Sequence, residues 1–440
     1  MSEMSYLEKL LDGVEVEWKS LGEIATKIYS GGTPDTKRIE YWENGTIPWM
    51  SSGEVNLKNI ERTEKYITEA GLNNSSAKLV PRNSVVIALA GQGKTRGKVA
   101  RIRIALATNQ SLAALTFDEK KFSSDYVFHF LETQYESLRQ ISSGNSGRGG
   151  LNLQMISAYK IPIPCPGNPE KSLAIQSEIV RILDKFSALT AELTAELTAE
   201  LNMRKKQYNY YRDQLLSFDE EQEKPVYLEK LLDGVEVEWR TLGEIAVIYD
   251  GTHKTPKYTA SGVPFVSVQN IKNLYGTNKY ISPEDFKTYK NKPRKHDLFM
   301  TRIGDVGTCA IVEDDRPLAY YVTLALIRIN QQIAVPGFIR YLIESRFGKA
   351  ELYKRTLIHA VPMKINLGEI GKVAVPIPCP DNPEKSLAIQ SEIVRILDKF
   401  DTLTNSITEG LPREIELRQK QYEYYRDLLF SFPKPETASN

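Results

Sequence analysis

The sequence predicts an α+β protein in which two globular α/β domains are separated by two long antiparallel coiled-coil helices, with approximate two-fold symmetry. Three observations predict this fold. Framework segments occur twice, two dissimilar inserts lie between them, and each framework carries an apolar stripe at helical spacing. A chain of 440 residues is long enough for two or three domains that each bury a core.

The framework repeats define the predicted domain boundaries. Residues 6–18 and 227–239 share the sequence YLEKLLDGVEVEW, and residues 161–186 recur as 375–400 with the common helix sequence LAIQSEIVRILDKF. Because divergence is confined to the inserts, a recent duplication without functional meaning explains the pattern less well than one architecture with two specificities. The predicted order is a framework segment (1–25), the first insert (26–160), a helical region (161–226), a repeated framework segment (227–246), the second insert (247–374) and a C-terminal helical region (375–440).

Each helical region begins with Asn-Pro-Glu, which supplies a capping residue, a proline suited to the first turn and a first-turn acid. From 171 to 216 no glycine or proline interrupts the first helix, so about 46 residues could span roughly 69 Å. The second helix is predicted over 385–430, with a break or kink at Gly410 and Pro412. Helices with matching apolar stripes are expected to pack as an antiparallel coiled coil.

The first helix contains a low-complexity tract, residues 190–201, in which TAEL occurs three times. Leu193, Leu197 and Leu201 continue the apolar stripe as a spacer helix. Each four-residue unit lengthens a helix by about 6 Å, roughly two base-pair steps. The tract is therefore predicted to set a distance, and an inert helical spacer is the alternative.

The inserts have the alternating patterns of short strands, followed by helical stretches that start at Asp125 and Gly337. The predicted strands are 84–91, 98–107 and 111–117 in the first insert, and 264–270, 297–304, 307–312 and 323–330 in the second.

The formal net charge of +1 conceals two basic inserts in an acidic framework. Residues 26–160 contain 18 Lys+Arg and 12 Asp+Glu, and residues 247–374 contain 19 and 11. The inserts therefore carry +6 and +8, which leaves −13 for the rest of the chain. Basic domains favour a polyanionic partner, and an acidic helical framework suits protein docking. An ordinary surface can also reach +6 without binding nucleic acid.

One glycine-rich segment, AGQGKT at residues 90–95, superficially matches a nucleotide-binding P-loop. That pattern needs glycine where Ala88 stands, and the residues that follow alternate like a strand instead of opening a helix. A hairpin turn is the better interpretation. Its basic side chains could neutralise phosphates or bind guanine edges.

Candidate DNA-contacting residues lie in this turn and in other polar or glycine-rich loops beside predicted strands. The loop at 142–150 has a second interpretation as a plain mobile connection. The candidates are Thr33, Trp49, Ser51, Ser52, Gln92, Lys94, Thr95, Arg96, Lys98, Asn145 and Arg148 in the first insert, and Thr252, Lys254, Lys257, Ser267, Gln269, Asn270, Arg302 and Lys364 in the second.

Catalysis and metal binding have little support in the sequence. The four histidines lack metal-ligand spacing, no GxSxG motif occurs, and no glycine pattern matches a methyltransferase cofactor site. The three cysteines form no CxxC pair and fit a reducing cytosol, and no apolar run is long enough to cross a membrane. We expect a non-catalytic cytoplasmic chain that binds no metal or cofactor itself.

The duplicated helices, the dissimilar inserts and the TAEL tract together resemble the specificity subunit of type I restriction–modification enzymes, and the tract is typical of the type IC group. The resemblance implies that each insert is a target recognition domain that reads half of a bipartite double-stranded DNA sequence. It also implies two modification subunits, which use S-adenosylmethionine to methylate adenine, and two restriction subunits, which use ATP and Mg. Repeat number sets half-site spacing in this group, so three TAEL units leave the spacer length open.

Two other interpretations compete with this one. A coiled-coil scaffold could use the basic inserts to bind acidic proteins, and an autonomous nucleotide-dependent enzyme could use the glycine-rich turn.

Overall fold

The computed structural model describes residues 6–91, 95–143, 150–218, 225–405 and 409–433. The chain divides into two compact units. Unit 1 contains Met1–Ala195 and Glu416–Asn440, and unit 2 contains Glu196–Ile415. Each unit therefore combines one insert with helical segments from both frameworks, and the division in the first helix falls within the TAEL tract.

Unit 1 contains two main sheets and a small framework sheet. Its strands are β1 (Val16–Ser20), β2 (Ala25–Ser30), β3 (Ile47–Met50), β4 (Asn59–Ile60), β5 (Lys65–Ile67), β6 (Leu79–Val80), β7 (Ser84–Ala88), β8 (Val99–Ile102), β9 (Leu106–Thr108), β10 (Leu112–Phe117) and β11 (Lys160–Pro164). The main sheets have the orders β2-β10-β7-β8-β4 and β5-β3-β9-β6, and β1 pairs with β11. The predicted strand 98–107 is divided between β8 and β9, in different sheets, because the chain turns at Arg103, whose guanidinium pairs with Asp125 (3.0 Å).

The helices of unit 1 cover one face of the larger sheet and join it to the framework. They are α1 (Tyr6–Leu11), α2 (Leu21–Ile24), α3 (Glu69–Asn73), α4 (Ser124–Thr133), α5 (Tyr135–Ser143), α6 (Leu153–Ala158) and the first part of α7 (Pro169–Leu215). The core includes the buried side chains of Leu21, Tyr126, Ile179 and Phe430. The helical stretch predicted from Asp125 is therefore two helices, which meet at Gln134.

Unit 2 repeats this plan with a different sequence. Its strands are β12 (Val237–Thr241), β13 (Ala246–Asp250), β14 (Val263–Val266), β15 (Tyr280–Ile281), β16 (Leu298–Thr301), β17 (Cys309–Ile311), β18 (Ala319–Tyr320), β19 (Leu324–Ile329) and β20 (Ala374–Pro378). The sheets have the orders β13-β19-β16-β17 and β15-β14-β18, and β12 pairs with β20. The four strands predicted in the second insert are present as β14, β16, β17 and β19, but the first is shorter than predicted, because Val268–Asn270 form a 3-10 helix.

The helices of unit 2 correspond to those of unit 1. They are α8 (Val226–Leu232), α9 (Leu242–Ile245), α10 (Pro283–Lys287), α11 (Pro336–Glu344), α12 (Arg346–Arg355), α13 (Leu367–Ile370) and α14 (Pro383–Asn405), and α15 (Gly410–Leu429) continues into unit 1. The stretch predicted from Gly337 divides at Ser345, because its hydroxyl accepts a hydrogen bond from Gly348 N–H (3.1 Å) and starts a new helix.

The long helices agree with the sequence prediction. α7 is continuous through the TAEL tract, and the second helix is interrupted before Gly410, which has a φ of +75°. In unit 1 the ring of Phe186 in α7 stacks on Tyr425 in α15 (5.9 Å between centroids). In unit 2 the ring of Tyr211, late in α7, stacks on Phe400 in α14 (5.6 Å). The early part of each framework helix thus meets the late part of the other, as in an antiparallel pair.

Two polar residues of α7 hold the first insert in unit 1. Gln176 Oε1 accepts a hydrogen bond from Ser123 N–H at the start of α4 (3.0 Å). Two turns later, Asp184 Oδ1 bonds to His129 Nε2 (2.9 Å) and to the guanidinium of Arg101 (2.7 Å). Burial alone would raise the pKa of Asp184, but the hydrogen bonds from His129 and Arg101 outweigh it and hold the pKa well below its usual range.

The equivalent residues of α14 hold the second insert in unit 2. Gln390 Oε1 accepts from Val335 N–H (2.9 Å), and Asp398 Oδ1 accepts from the Tyr341 hydroxyl (2.6 Å). The two frameworks therefore attach two different inserts through the same pair of side chains. No helix among the described residues is long and apolar enough to cross a membrane.

Candidate nucleic-acid interface

In unit 1, several candidate loops meet around one short segment, residues 108–111, which we call the central segment of unit 1. It follows β9, and the loops that follow β2, β3 and β7 all hydrogen bond to it, directly or through a neighbour. The junctions are Gly32 N–H to Thr108 O (2.9 Å), Asn109 N–H to Met50 O (3.1 Å), Leu89 N–H to Ser111 O (2.8 Å) and Leu151 N–H to Leu89 O (3.1 Å). The structure thus brings the predicted loops together.

Unit 2 has the same junctions around residues 320–323, the central segment of unit 2. The bonds are Thr252 N–H to Tyr320 O (3.2 Å), Tyr321 N–H to Val266 O (2.9 Å), Arg302 N–H to Thr323 O (3.0 Å) and Ile365 N–H to Arg302 O (3.0 Å). Every bond in one unit has a counterpart at the same strand end in the other. We call the loops around each central segment the loop cluster of that unit.

Several candidates in the first insert are structural residues. Trp49 is 5% exposed, and its indole N–H donates to Gly32 O (3.1 Å), so the structure gives no support to the prediction that it contacts DNA. Thr95 and Arg96 are also buried. The Thr95 hydroxyl donates to Ala90 O (3.1 Å) and closes the glycine-rich turn.

Other candidates border the loop cluster of unit 1. Ser51 is half-buried, and its hydroxyl and backbone N–H bond to Glu54 at the start of the 3-10 helix Ser52–Leu57. Lys98 Nζ donates to Asn56 Oδ1 (2.6 Å), which joins the turn to this helix. Ser52 is half-buried in its first turn.

Thr33 is exposed in the loop cluster of unit 1, and its hydroxyl donates to the side chain of Gln110 (2.6 Å). Gln110 lies in the central segment and was missed by the sequence reasoning. The signal that could have found it is the polar Asn-Gln-Ser turn between two apolar strands. Gln92, Lys94, Asn145 and Arg148 lie outside the described residues.

The candidates of the second insert are mainly at the surface. Ser267 N–H donates to Asn270 Oδ1 (3.1 Å) and the pair caps a short 3-10 helix, so neither is as exposed as predicted. Thr252 is half-buried and its hydroxyl bonds to the backbone of Lys254. The side chains that remain exposed are Lys254, Lys257, Gln269 and Lys364.

Arg302 is the clearest correction in unit 2. Its side chain is 9% exposed, and its guanidinium donates to Asp250 Oδ1 (2.8 Å), Val322 O (3.0 Å) and Ile365 O (3.3 Å). These bonds hold the guanidinium inside the protein, so the structure gives the predicted DNA contact of Arg302 no support. It instead joins three loops of the cluster.

Asp250 extends this connection to the surface. Its second carboxylate oxygen, Oδ2, bonds to Nε2 of His253 (2.8 Å), whose side chain is 71% exposed. Tyr320 donates its hydroxyl to Asp250 O (3.0 Å), and burial raises the pKa of that hydroxyl, so it stays protonated. Asp250 and His253 were missed by the sequence reasoning. Aligning the shared Ile-Tyr-x-Gly start of the inserts could have found them.

An apolar loop, residues 357–364, lies beside the loop cluster of unit 2. Leu357 and Lys364 bond across its base (2.8 Å), and Gly304 N–H donates to Met363 O (2.8 Å). Val361 at its tip is fully exposed. Exposed apolar side chains beside a lysine can contact thymine methyl groups or base faces.

Much of the positive charge of unit 2 lies away from the loop cluster. Lys287, Lys290, Arg294 and Lys295 are exposed, and within the described chain no ion pair joins their side chains. They precede β16, whereas Arg302 follows it. The described residues contain no group of His, Cys, Asp and Glu side chains that could hold a metal ion.

The family is decided by a match to the family model of the type I restriction modification DNA specificity domain, which covers residues 13–203 and 234–417. The chain belongs to this family. As a specificity subunit, the chain recognises DNA and is not the catalytic subunit. It acts in an assembly with other restriction–modification subunits. The two matched segments each contain one insert and the early part of the framework helix that follows it.

Relatives support the same assignment. The specificity subunit is 40% identical to the type I restriction enzyme EcoR124I/EcoR124II specificity subunit of Escherichia coli, with 100% of both chains covered. It is 37% identical to the EcoprrI specificity subunit of Escherichia coli, with 93% of each covered.

Solved structures share the fold. A chain from a study of complex assembly and conformational transition of the type I R-M system has a TM-score of 0.62 at 15% identity, covering 94% of this chain and 97% of that one. The HsdS subunit from Thermoanaerobacter tengcongensis has a TM-score of 0.50 at 17% identity, with 94% and 96% covered. The predicted arrangement of two recognition domains and long helices is confirmed.

Proposed function

We propose that each loop cluster of this specificity subunit reads one half of an asymmetric, two-part DNA sequence. The observation that carries this proposal is that the two clusters share their backbone junctions but differ in side chains. Asn109 and Gln110 in unit 1 stand where Tyr321 and Val322 stand in unit 2, and the supporting residues Leu89 and Ser30 stand where Arg302 and Asp250 stand. The same backbone with different polar groups would present different hydrogen-bonding patterns to base edges.

The proposed assembly contains two modification subunits and two restriction subunits. The modification subunits would use S-adenosylmethionine to methylate a flipped-out adenine in each half-site, and the restriction subunits would use ATP and Mg. This chain would bind none of these cofactors. Support for two copies of one partner comes from Tyr210 and Tyr424, which are equivalent in the two framework helices and are 61% and 64% exposed.

The continuous helix α7 would set the distance between the half-sites. Leu193, Leu197 and Leu201 are half-buried along the TAEL tract, so the tract has a packed face as well as a length. A change of one TAEL unit would alter the helix by about 6 Å.

Methylome sequencing of cells that carry the subunit with its modification partner tests the proposal. The expected result is one motif with two different half-sites, a fixed spacer and a methylated adenine in each half. A contiguous motif, or methylation without sequence preference, would overturn it. The latter result would favour the alternative of a scaffold that binds acidic proteins.

A further inference from the structure

We propose that Thr33 and His253 occupy equivalent specificity-determining positions, each reading a base in its own half-site, and that Asp250 and Arg302 are positioning residues for His253. This inference rests on the proposed function and adds a residue, His253, that was not among the candidates from the sequence.

The equivalence follows from the backbone. Gly32 and Thr252 each donate a hydrogen bond from N–H to the last residue of a short strand, Thr108 in unit 1 and Tyr320 in unit 2. The next residues are Thr33 and His253. Thr252, which the sequence also offered as a candidate, therefore corresponds to Gly32 and not to Thr33.

Both side chains are exposed and yet fixed. Thr33 donates to Gln110 in the central segment of unit 1 (2.6 Å). His253 is 71% exposed but is bound to Asp250, which is in turn bound to the buried guanidinium of Arg302 (2.8 Å). An exposed side chain normally gains entropy from several rotamers, and fixing one in advance lowers the cost of binding a ligand. These contacts therefore pre-organise one polar group at the same position in each cluster.

The two groups offer different chemistry. A carboxylate only accepts hydrogen bonds, so the bond to Asp250 places a proton on Nε2 of His253. In the neutral ring Nδ1 is then an acceptor, suited to the exocyclic amino group of adenine or cytosine in the major groove. The Thr33 hydroxyl donates its one proton to Gln110 and is left as an acceptor on a short side chain, without the reach of an imidazole ring. The two positions therefore differ in the size and reach of the acceptor that they present, which permits different bases in the two half-sites.

The test uses the complex of the full chain with its modification subunit and a DNA library randomised across both half-sites. We expect His253→Ala to reduce discrimination at one base pair of the second half-site about tenfold, the size of one lost base contact, and to leave the first half-site unchanged. Thr33→Ala is the matched variant and should give the mirror result. His253→Asn, which keeps a polar atom near Nδ1, should retain more discrimination than His253→Ala.

Asp250→Asn tests the positioning role, because the amide keeps the shape of the carboxylate but weakens its hold on both neighbours. It should reduce discrimination at the base pair affected by His253→Ala and at no pair of the first half-site. Thermal unfolding of each variant separates this effect from loss of the fold. His253→Ala changes an exposed side chain, so we expect it to leave the fold intact.

Three results would overturn the inference: unchanged preferences in His253→Ala, an equal loss of affinity for all sequences, which indicates a phosphate contact, or altered preferences in both half-sites. If the unmutated complex shows no two-part preference, the proposed function itself fails. If the unmutated complex shows the two-part preference and the variants have the same preference, only this inference fails.

Discussion

At the scale of single residues, Arg302 has the chemistry of a base-reading side chain but is used inside the protein. Replacing Arg302 with leucine leaves the partly buried Asp250 without its strongest partner, which we expect to lower the free energy of unfolding by about 3 kcal/mol. Unit 1 supplies the control, since Ser30 and Leu89 occupy the equivalent positions. Adding Asp250→Ser to Arg302→Leu should recover at least half of the loss in urea denaturation. Equal stability of the single and double variants would contradict this account.

The burial of Arg302 could not be predicted from the sequence. Arg302 lies near the end of a predicted strand, two residues before Gly304, a position shared by residues that face a ligand. Its burial depends on Asp250, 52 residues earlier, which only the fold brings to it. Trp49 is similar, because Trp42 packs against its ring (5.1 Å) and leaves it no surface. Conversely, His253 has no local pattern, and its significance comes from its contact with Asp250.

Asp184 predicts a pH dependence of stability. Its pKa is lowered in the folded protein, so the ionised form contributes stability above the unfolded pKa of about 3.9, and that stability is lost as the pH falls towards the folded value. Asp184→Asn should cost about 1 kcal/mol at pH 7, a modest value because the carboxylate is 37% exposed and screened by water. The difference between the variant and the unmodified chain should stay nearly constant down to about pH 4 and shrink progressively below it. Parallel stability curves from pH 7 to pH 3 would contradict the assignment.

At the scale of elements, the helices were the most predictable part of the fold. The stripe from Ile175 to Leu189 and the absence of glycine and proline determine α7, and Gly410 marks the interruption of the second helix. Local sequence was insufficient where a chain segment changes partners. β8 and β9 read as one strand because both are apolar, yet they pair in different sheets.

Deleting one TAEL unit, Thr198 to Leu201, tests the role of α7. The helix would shorten by about 6 Å, so the preferred spacer should shorten by roughly two base-pair steps while both half-site sequences stay the same. Methylome sequencing reports the spacer and half-sites together. A single Thr194→Ala exchange, which preserves helix length, serves as the control. An unchanged spacer would assign the tract to an inert helical connection.

The exposed tyrosines of the framework helices give a second prediction at this scale. If Tyr210 and Tyr424 each contact one modification subunit, Tyr210→Ser should weaken one of the two binding events about thirtyfold, as loss of an aromatic anchor does. The double variant with Tyr424→Ser should weaken both. Titration calorimetry or mass photometry gives the stoichiometry. Lys206→Ser, an exposed change on the same helix, is the matched control, and unaltered binding by the double variant would place the partner elsewhere.

At the scale of the whole molecule, the two framework copies attach their inserts through equivalent contacts. β1 pairs with β11 in the same register as β12 with β20, so Trp18 opposes Pro162 as Trp239 opposes Pro376. Gln176 and Asp184 repeat as Gln390 and Asp398. The attachment therefore depends little on which insert is present. The overall charge also reflects this plan, because two basic inserts offset an acidic framework.

A chain in which residues 26–160 replace residues 247–374 tests this equivalence. In the incoming insert, the N–H of Ser123 would meet Gln390 and the imidazole of His129 would meet Asp398. In unit 1 the same two groups bond to a glutamine and an aspartate of α7. With the approximate two-fold symmetry predicted from the repeats, both clusters would then read the same half-site on opposite strands. Methylome sequencing should report an inverted repeat of the first half-site with the original spacer, and the reciprocal exchange should report the second. Retention of the original asymmetric target would show that the framework, and not the inserts, carries the specificity.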